Sequence, residues 1–271
     1  MLYFVSTPVG NLKDISLRAL EILKSADVIA CEDTRTSLKL LNHYDIKKPL
    51  VAYHKFNETV AAEKIVRDLK SGKNVALITD AGTPVVSDPG NVLTKLLREE
   101  GVDYTVIPGA TAFVPALILS GLDAQRFAFI GFLPSKKKAR EELLARYKNL
   151  DMTLIFYSAP HDLLNDLASL YEAFGARKAA VCKEITKLHE GVERITLGET
   201  LAEQEPKGEY VVVVEGGEPE ESELLSLSVE EHIKHYMKSG KDKKEAIKAV
   251  AKDRKISKSE VYKYSVDIEN N

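Results

Sequence analysis

Two glycines and two prolines fall between Gly82 and Gly90, directly after the apolar run that ends at Leu77-Ile78. A short run apolar at successive positions reads as a strand buried on both faces. The stretch Thr79-Asp80-Ala81-Gly82-Thr83-Pro84-Val85-Val86-Ser87-Asp88-Pro89-Gly90 then reads as a loop with a shaped backbone, and a helical pattern resumes near Asn91. Such a loop sits at the carboxyl end of a strand, which in open α/β sheets is where ligands bind. Two more loops of the same kind follow predicted strands: Thr7-Pro8-Val9-Gly10-Asn11 after the first and Pro108-Gly109-Ala110-Thr111-Ala112 after the fifth. Each alone is a tight turn. On one edge of a parallel sheet, the three together predict a composite site.

In the first half, strand-like runs at Leu2 to Ser6, Asp27 to Cys31, Leu50 to His54, Asn74 to Thr79 and Tyr104 to Ile107 alternate with amphipathic segments. Those segments lie near Ile15 to Ser25, Ser37 to His43, Asn57 to Ser71 and Asn91 to Gly101, which implies a parallel sheet covered on both faces. A second α/β unit with a mixed sheet is predicted from strands at Phe127 to Phe132, Thr153 to Tyr157, Ala179 to Ile185, Glu193 to Leu197 and Glu209 to Glu215. Helices at Lys136 to Lys148 and His161 to Phe174 interleave with them. The expected division is 1–115, 116–215, an acidic linker over 216–228 and a basic helical module over 229–271. Within that module Ser257 and Glu260 form a capping-box signature, and the last two helices outline a helix-turn-helix. A docking bundle with a solvated basic face fits the same pattern.

Composition narrows the class. With 271 residues, 44% of them hydrophobic, the chain can bury substantial cores. It has no run of about 18 apolar residues, and its first residues lack a signal-peptide pattern, so a cytoplasmic protein is expected. Cys31 and Cys182 sit in apolar runs and read as inert buried thiols. The net charge of −3 hides an asymmetry, because residues 229–263 carry 11 Lys/Arg against 6 Asp/Glu. A basic tail on an acidic body leaves a nucleic-acid partner open. No metal set is predicted: His232 and His235 lack acidic partners at ligand spacing and read as a surface pair.

Neither a dinucleotide fingerprint nor a P-loop is present. The combination of Ser6 to Asn11, Glu32-Asp33-Thr34-Arg35, Asp80 to Gly90 and Pro108 to Ala112, with Thr153 to His161 and Cys182 to Glu190, resembles the tetrapyrrole-methylase-like, class III S-adenosylmethionine methyltransferases. Within that group it is similar to the bacterial ribosomal small-subunit methyltransferase I family, which methylates the ribose 2′-oxygen of a cytidine in the decoding region of 16S rRNA. The resemblance covers about the first 215 residues. It implies two α/β domains with S-adenosylmethionine folded between them, and a homodimer acting on the small ribosomal subunit. Pro8 is then expected to flank the donor, and Ala81, Gly82 and Thr83 to meet its amino-acid part and sulfonium, with Val86 nearby. Thr111 and Ala112 are expected to touch it from the third loop, and Ser158 near the adenine.

Methyl transfer to a ribose hydroxyl needs an aligned oxygen and a place for its proton. Lys183 and Glu184 follow an apolar strand and face the cleft if the family geometry holds. Glu184 is expected as base or orienter and Lys183 as charge stabiliser, against the plain alternative of a strand-end ion pair. Glu32 and Arg35 suit ribose hydroxyls and phosphate, with capping of a helix at Ser37 as the alternative. Lys136, Lys137, Lys138 and Arg140 suit backbone phosphates, or form a solvated basic turn. Two other readings compete: a small-molecule or protein side-chain methylase of the same fold, and a non-catalytic RNA-binding assembly factor.

Overall fold

The computed structural model describes residues 1–202, 205–217, 223–265 and 268. Residues 218–222 of the acidic linker and the chain end beyond Ser265, Ile268 excepted, lie outside these. The chain divides into two compact units, Met1–Lys148 with Met152–Gly216, and Asn149–Asp151 with Gly217–Asn271.

The first unit begins with β1 (Leu2–Val5), α1 (Leu17–Ser25), β2 (Val28–Cys31), α2 (Thr34–His43), β3 (Leu50–Ala52), α3 (Glu58–Lys70), β4 (Val75–Ile78), α4 (Asn91–Glu99) and β5 (Tyr104–Ile107). The five strands form one parallel sheet in the order β3-β2-β4-β1-β5. Alternate side chains of each strand go to opposite layers. Phe4 and Leu77 pack with Ala62, Ile65, Leu93 and Leu97 of α3 and α4, whereas Val5, Ala76 and Ile78 pack with Leu23 and Leu41 of α1 and α2. This double burial explains why β4 is apolar at every position. Helix α1 starts where Ser16 accepts the Ala19 N–H at 3.1 Å. Helix α2 starts earlier than the periodicity indicates: Asp33, not Ser37, is its cap, accepting the Arg35 N–H at 2.8 Å, and Ser37 is buried inside the helix.

The same unit continues with α5 (Phe113–Ser120), β6 (Phe127–Phe132), α6 (Lys137–Ala145), β7 (Thr153–Ser158), α7 (Leu163–Phe174), β8 (Lys178–Lys183), β9 (Gly191–Thr196) and β10 (Tyr210–Val214). Here the sheet is mixed, ordered β6-β7-β10-β8-β9, with only β6 and β7 parallel. One face packs on Leu144, Leu163, Leu170 and Phe174 of α6 and α7, and the other on Ala116 and Leu117 of α5.

The second unit holds α8 (Glu223–Ser226), α9 (Val229–Lys238), α10 (Lys243–Asp253) and α11 (Lys258–Lys263) around Ile233, Ala246, Val250 and Val261. Capping boxes at Ser228, Asp242 and Ser257 start the last three. His232 is a correction to the surface pair expected from spacing: it is fully buried, its Nδ1 accepts from Arg254 Nε at 3.2 Å, and its Nε2 lies 3.3 Å from Asp253. Burial and Arg254 push its pKa down, so the ring stays neutral in place, while His235 is exposed. The Asp253 and Arg254 partners come from a helix remote in sequence, which local spacing cannot show. No helix among the described residues is long and apolar enough to cross a membrane.

Candidate active site

Strand order brings the three Pro/Gly loops together. Because β1 lies between β4 and β5, the loops leaving all three strands emerge side by side at the carboxyl edge. Thr7 and Gly82 exchange backbone hydrogen bonds, Thr7 N–H to Gly82 O at 2.8 Å and Gly82 N–H to Thr7 O at 3.1 Å. Ser6 Oγ and Thr83 Oγ1 are 2.8 Å apart, and Thr83 Oγ1 donates to Ala110 O at 3.2 Å. Thr83 thus joins all three loops. Two glycines make this closeness feasible: Gly82 holds φ +84°, and a Cβ on Gly109 would meet the Ser6 Cβ at 2.8 Å.

The surrounding backbone is strained. Val85 and Ser87 hold φ of 75° and 67°, and Glu184 and Thr186, in the loop after β8, hold 51° and 68°. Positive φ is especially unfavourable for β-branched Val85 and Thr186. Such residues cost about 1–3 kcal/mol each and concentrate at ligand clamps and active sites.

A cavity of about 420 Å³ opens here, within the size range of small-molecule sites. Of the residues expected to contact a donor, Ala81, Gly82, Thr83, Val86, Thr111, Ala112 and Ser158 line it. Pro8 is buried and does not; Val9 takes its place in the wall. Ser158 is itself buried and its hydroxyl donates to Asp166 at 2.7 Å, so it contributes wall more than a free hydrogen-bonding group. From the second sheet come Phe132 and Tyr157, and from the segments after β8 and before β10 come Ile185 and Glu209. Glycine and hydroxyl-bearing loop residues and the aromatic residues Phe113, Phe132 and Tyr157 line the same cavity, a mixed polar and apolar lining that suits a small organic ligand.

The electrostatics single out Asp88, a cavity residue that motif reading passed over. Burial, reinforced by Glu32, pushes its carboxyl up to about 6. Asp80 is also raised, chiefly by burial, and burial pushes the Tyr157 hydroxyl up to about 12. Glu32 accepts the Thr79 hydroxyl at 3.1 Å beside them. The acidity of Asp88 is invisible in sequence because it arises from burial and from Glu32, more than fifty residues away.

Lys183 and Glu184 do not line the cavity; their neighbour Ile185 does. Glu184 accepts from Lys187 Nζ at 2.8 Å and from the Glu209 N–H at 2.9 Å, and Lys187 Nζ reaches Glu209 at 2.8 Å. The hydrogen bond from Lys187 holds the Glu184 carboxyl below its usual range, the wrong direction for a base working near neutrality. This cluster instead pins Glu209, which reaches the cavity wall. Arg35 is almost fully exposed and paired with Asp33 at 2.7 Å. Lys136, Lys137 and Lys138 are exposed at the start of α6. Arg140 corrects the basic-cluster reading: one turn further along α6 it faces inward, buried, donating to Pro134 O at 3.0 Å and Ser169 Oγ at 3.0 Å and lying 3.5 Å from Asp166. Among the described residues no group of three or more His, Cys, Asp or Glu could hold a metal ion.

Comparison with known proteins follows the same outline. A family profile described as Tetrapyrrole (Corrin/Porphyrin) Methylases matches residues 1–201. The chain is 46% identical over 268 residues to a protein of Halalkalibacterium halodurans named Ribosomal RNA small subunit methyltransferase I, covering 96% of this chain and 93% of that one. A Bacillus subtilis protein of the same name is 44% identical over 270 residues, covering 97% and 92%. Among solved structures, diphthine synthase superposes with a TM-score of 0.63 at 19% identity, over 79% of this chain and 89% of that one. Uroporphyrin-III-C-methyltransferase from Thermus thermophilus superposes at 0.56 and 24% identity, over 78% and 93%. These two likenesses establish the shared fold.

Proposed function

We propose that this chain, which belongs to the tetrapyrrole methylase family and within it to the ribosomal RNA small subunit methyltransferase I family, transfers a methyl group from S-adenosylmethionine to small-subunit ribosomal RNA in the cytoplasm. The finer target is the ribose 2′-oxygen of a cytidine in the decoding region. The observation that carries this reading is the three-loop cavity, closed by Thr83, in a chain similar to relatives of that name along nearly its whole length.

The donor, when bound, supplies an electrophilic methyl group on a sulfonium. Backbone groups of Ala81 to Thr83 and of Thr111 and Ala112 would hold its amino-acid part and sulfonium, and Tyr157 and Ser158 would wall its adenine side. The volume and the mixed polar and aromatic walls fit such a molecule. The chain's own task is to align a ribose hydroxyl and accept its proton. Positioning can supply about 7–11 kcal/mol of such a barrier. Asp88 is the proton acceptor in this reading, since it lines the cavity with a carboxyl poised near neutrality. Glu184 is the orienter, holding Lys187 and, at the cavity wall, Glu209, and Lys183, outside the cavity lining, acts through its charge on Glu184. Glu32, Arg35, Lys136, Lys137 and Lys138 contact the RNA; Arg140 is withdrawn from that role. A second copy of the chain covers the exposed apolar residues Tyr104 and Val106 of edge strand β5 and Val114 and Ile118 of α5.

Incubation with labelled S-adenosylmethionine and unmodified small subunits tests the reading. Label is expected on one cytidine ribose, from an enzyme that sediments as a dimer. Label in a tetrapyrrole precursor and none in RNA would overturn the substrate, and a monomer would overturn the assembly.

A further inference from the structure

Phe56 is 94% exposed, a large apolar side chain given none of the burial that drives folding. It is not on a loose tip. The His54 N–H donates to Asn57 Oδ1 at 2.8 Å, Asn57 Nδ2 donates to Ala52 O at 3.0 Å, and the Asn57 N–H donates to His54 O at 2.9 Å. Glu58, next in sequence, accepts from the Tyr53 hydroxyl at 3.1 Å and from the Gly90 N–H at 2.7 Å. The turn that presents Phe56 is therefore fastened to the end of the Asp80 to Gly90 loop, whose other end walls the cavity.

Exposed cations lie on the neighbouring segments, Arg35 among them and paired with Asp33. Strands β2 and β3 run parallel with Cys31 opposite Ala52, and the Tyr53 N–H donates to Cys31 O at 2.8 Å. The segments that continue them, 32–35 and 53–56, leave the sheet side by side. Arg35 and Lys39 lie on one face of α2, four residues apart, and both are exposed, as is Lys55 beside Phe56. The His54 ring lies 6.2 Å from the Phe56 ring. An exposed aromatic face on a fixed turn, flanked by guanidinium and ammonium groups, is the chemistry that holds single-stranded nucleic acid: the ring stacks on a base of any identity and the cations meet its phosphates.

We propose that the His54 to Asn57 turn is a stacking platform for an unpaired base of the substrate RNA, with Arg35, Lys39 and Lys55 on the flanking phosphates. The proposal rests on the reading of the substrate as RNA. A strand that delivers one ribose to the cavity carries its neighbouring nucleotides over this same sheet edge.

The chain contains no tryptophan, so Phe56→Trp places a single indole at the platform. Its emission is expected to be quenched when a single-stranded RNA oligonucleotide with the target sequence is added. Phe56→Ala is expected to raise KM for unmodified subunits by roughly tenfold or more, Phe56→Trp to keep KM near wild type, and both to bind donor in calorimetry as wild type does. A wild-type KM in Phe56→Ala, or indole emission indifferent to RNA, overturns the platform. So does quenching by RNA-free small-subunit proteins without quenching by RNA, which assigns Phe56 to a protein contact. If the wild-type enzyme labels no RNA, the functional reading itself has failed; if it labels RNA and Phe56→Ala matches it, only the platform has.

Discussion

Substituting Gly82 separates backbone strain from obstruction of the cavity. At φ +84° an L-residue costs about 1–2 kcal/mol. The first added carbon meets nothing closer than Ala110 O at 3.7 Å and Val9 Cγ2 at 3.9 Å, ordinary contact distances, so sterics add little for alanine. Gly82→Ala should therefore lower Tm by roughly 2–8 °C, at about 2–4 °C per kcal/mol for a unit of this size, and keep most of its affinity for S-adenosylmethionine. Gly82→Val adds β-branching and two further carbons at the cavity wall, and should lose donor affinity by about a hundredfold or more. The assay is calorimetry, paired with thermal unfolding with and without donor. At a donor concentration of about 100 times Kd the wild-type protein gains about 2.7 kcal/mol, a rise of roughly 5–10 °C, and Gly82→Val should show almost none of it. Circular dichroism verifies that the variant is folded. A folded Gly82→Val protein with wild-type Kd would refute the placement of the donor against this loop.

Asp88→Asn should slow methyl transfer by about a hundredfold or more while donor affinity is retained. In the wild-type enzyme the carboxylate accepts the proton only when ionised, so kcat/KM should fall as pH drops through about 6; the variant should lack that limb, and a variant that keeps both limb and rate removes Asp88 from the chemistry. Arg140→Ala should destabilise by about 3–5 kcal/mol, because it strands buried Asp166, whereas Lys138→Ala should leave Tm unchanged and weaken RNA binding with a shallower salt dependence. An Arg140→Ala protein with wild-type Tm and weakened RNA binding would restore Arg140 to the RNA surface.

Much of the architecture was legible because the signals are local. Continuous apolar runs such as Val75 to Ile78 require burial on both faces, and Gly/Pro pairs after strands mark the turns, so a parallel sheet with three loops on one edge follows from periodicity alone. Capping is local too, as at Ser257 and Glu260. The sequence reading put the cap of α2 at Ser37, and only the backbone path moved it to Asp33. Arg140 and Lys138 belong to one basic run, yet a helix turns side chains two apart to different faces, and what waited on Arg140's face was Asp166 of another helix.

By itself, then, the sequence determined the α/β alternation, the sheet edge at which the cavity opens, the three loops that meet there and the basic helical segment at the end, since each depends on residues near one another along the chain. Tertiary structure decided which charged groups do what. It pushed Asp88 up by burial beside Glu32, tied Glu184 to Lys187 and Glu209, turned Arg140 inward, buried His232 between helices and held Phe56 in water on a fixed turn. A residue's charge and reactivity are set by the dielectric and the partners around it, and in a fold of this kind those partners come from strands and helices far apart in the chain.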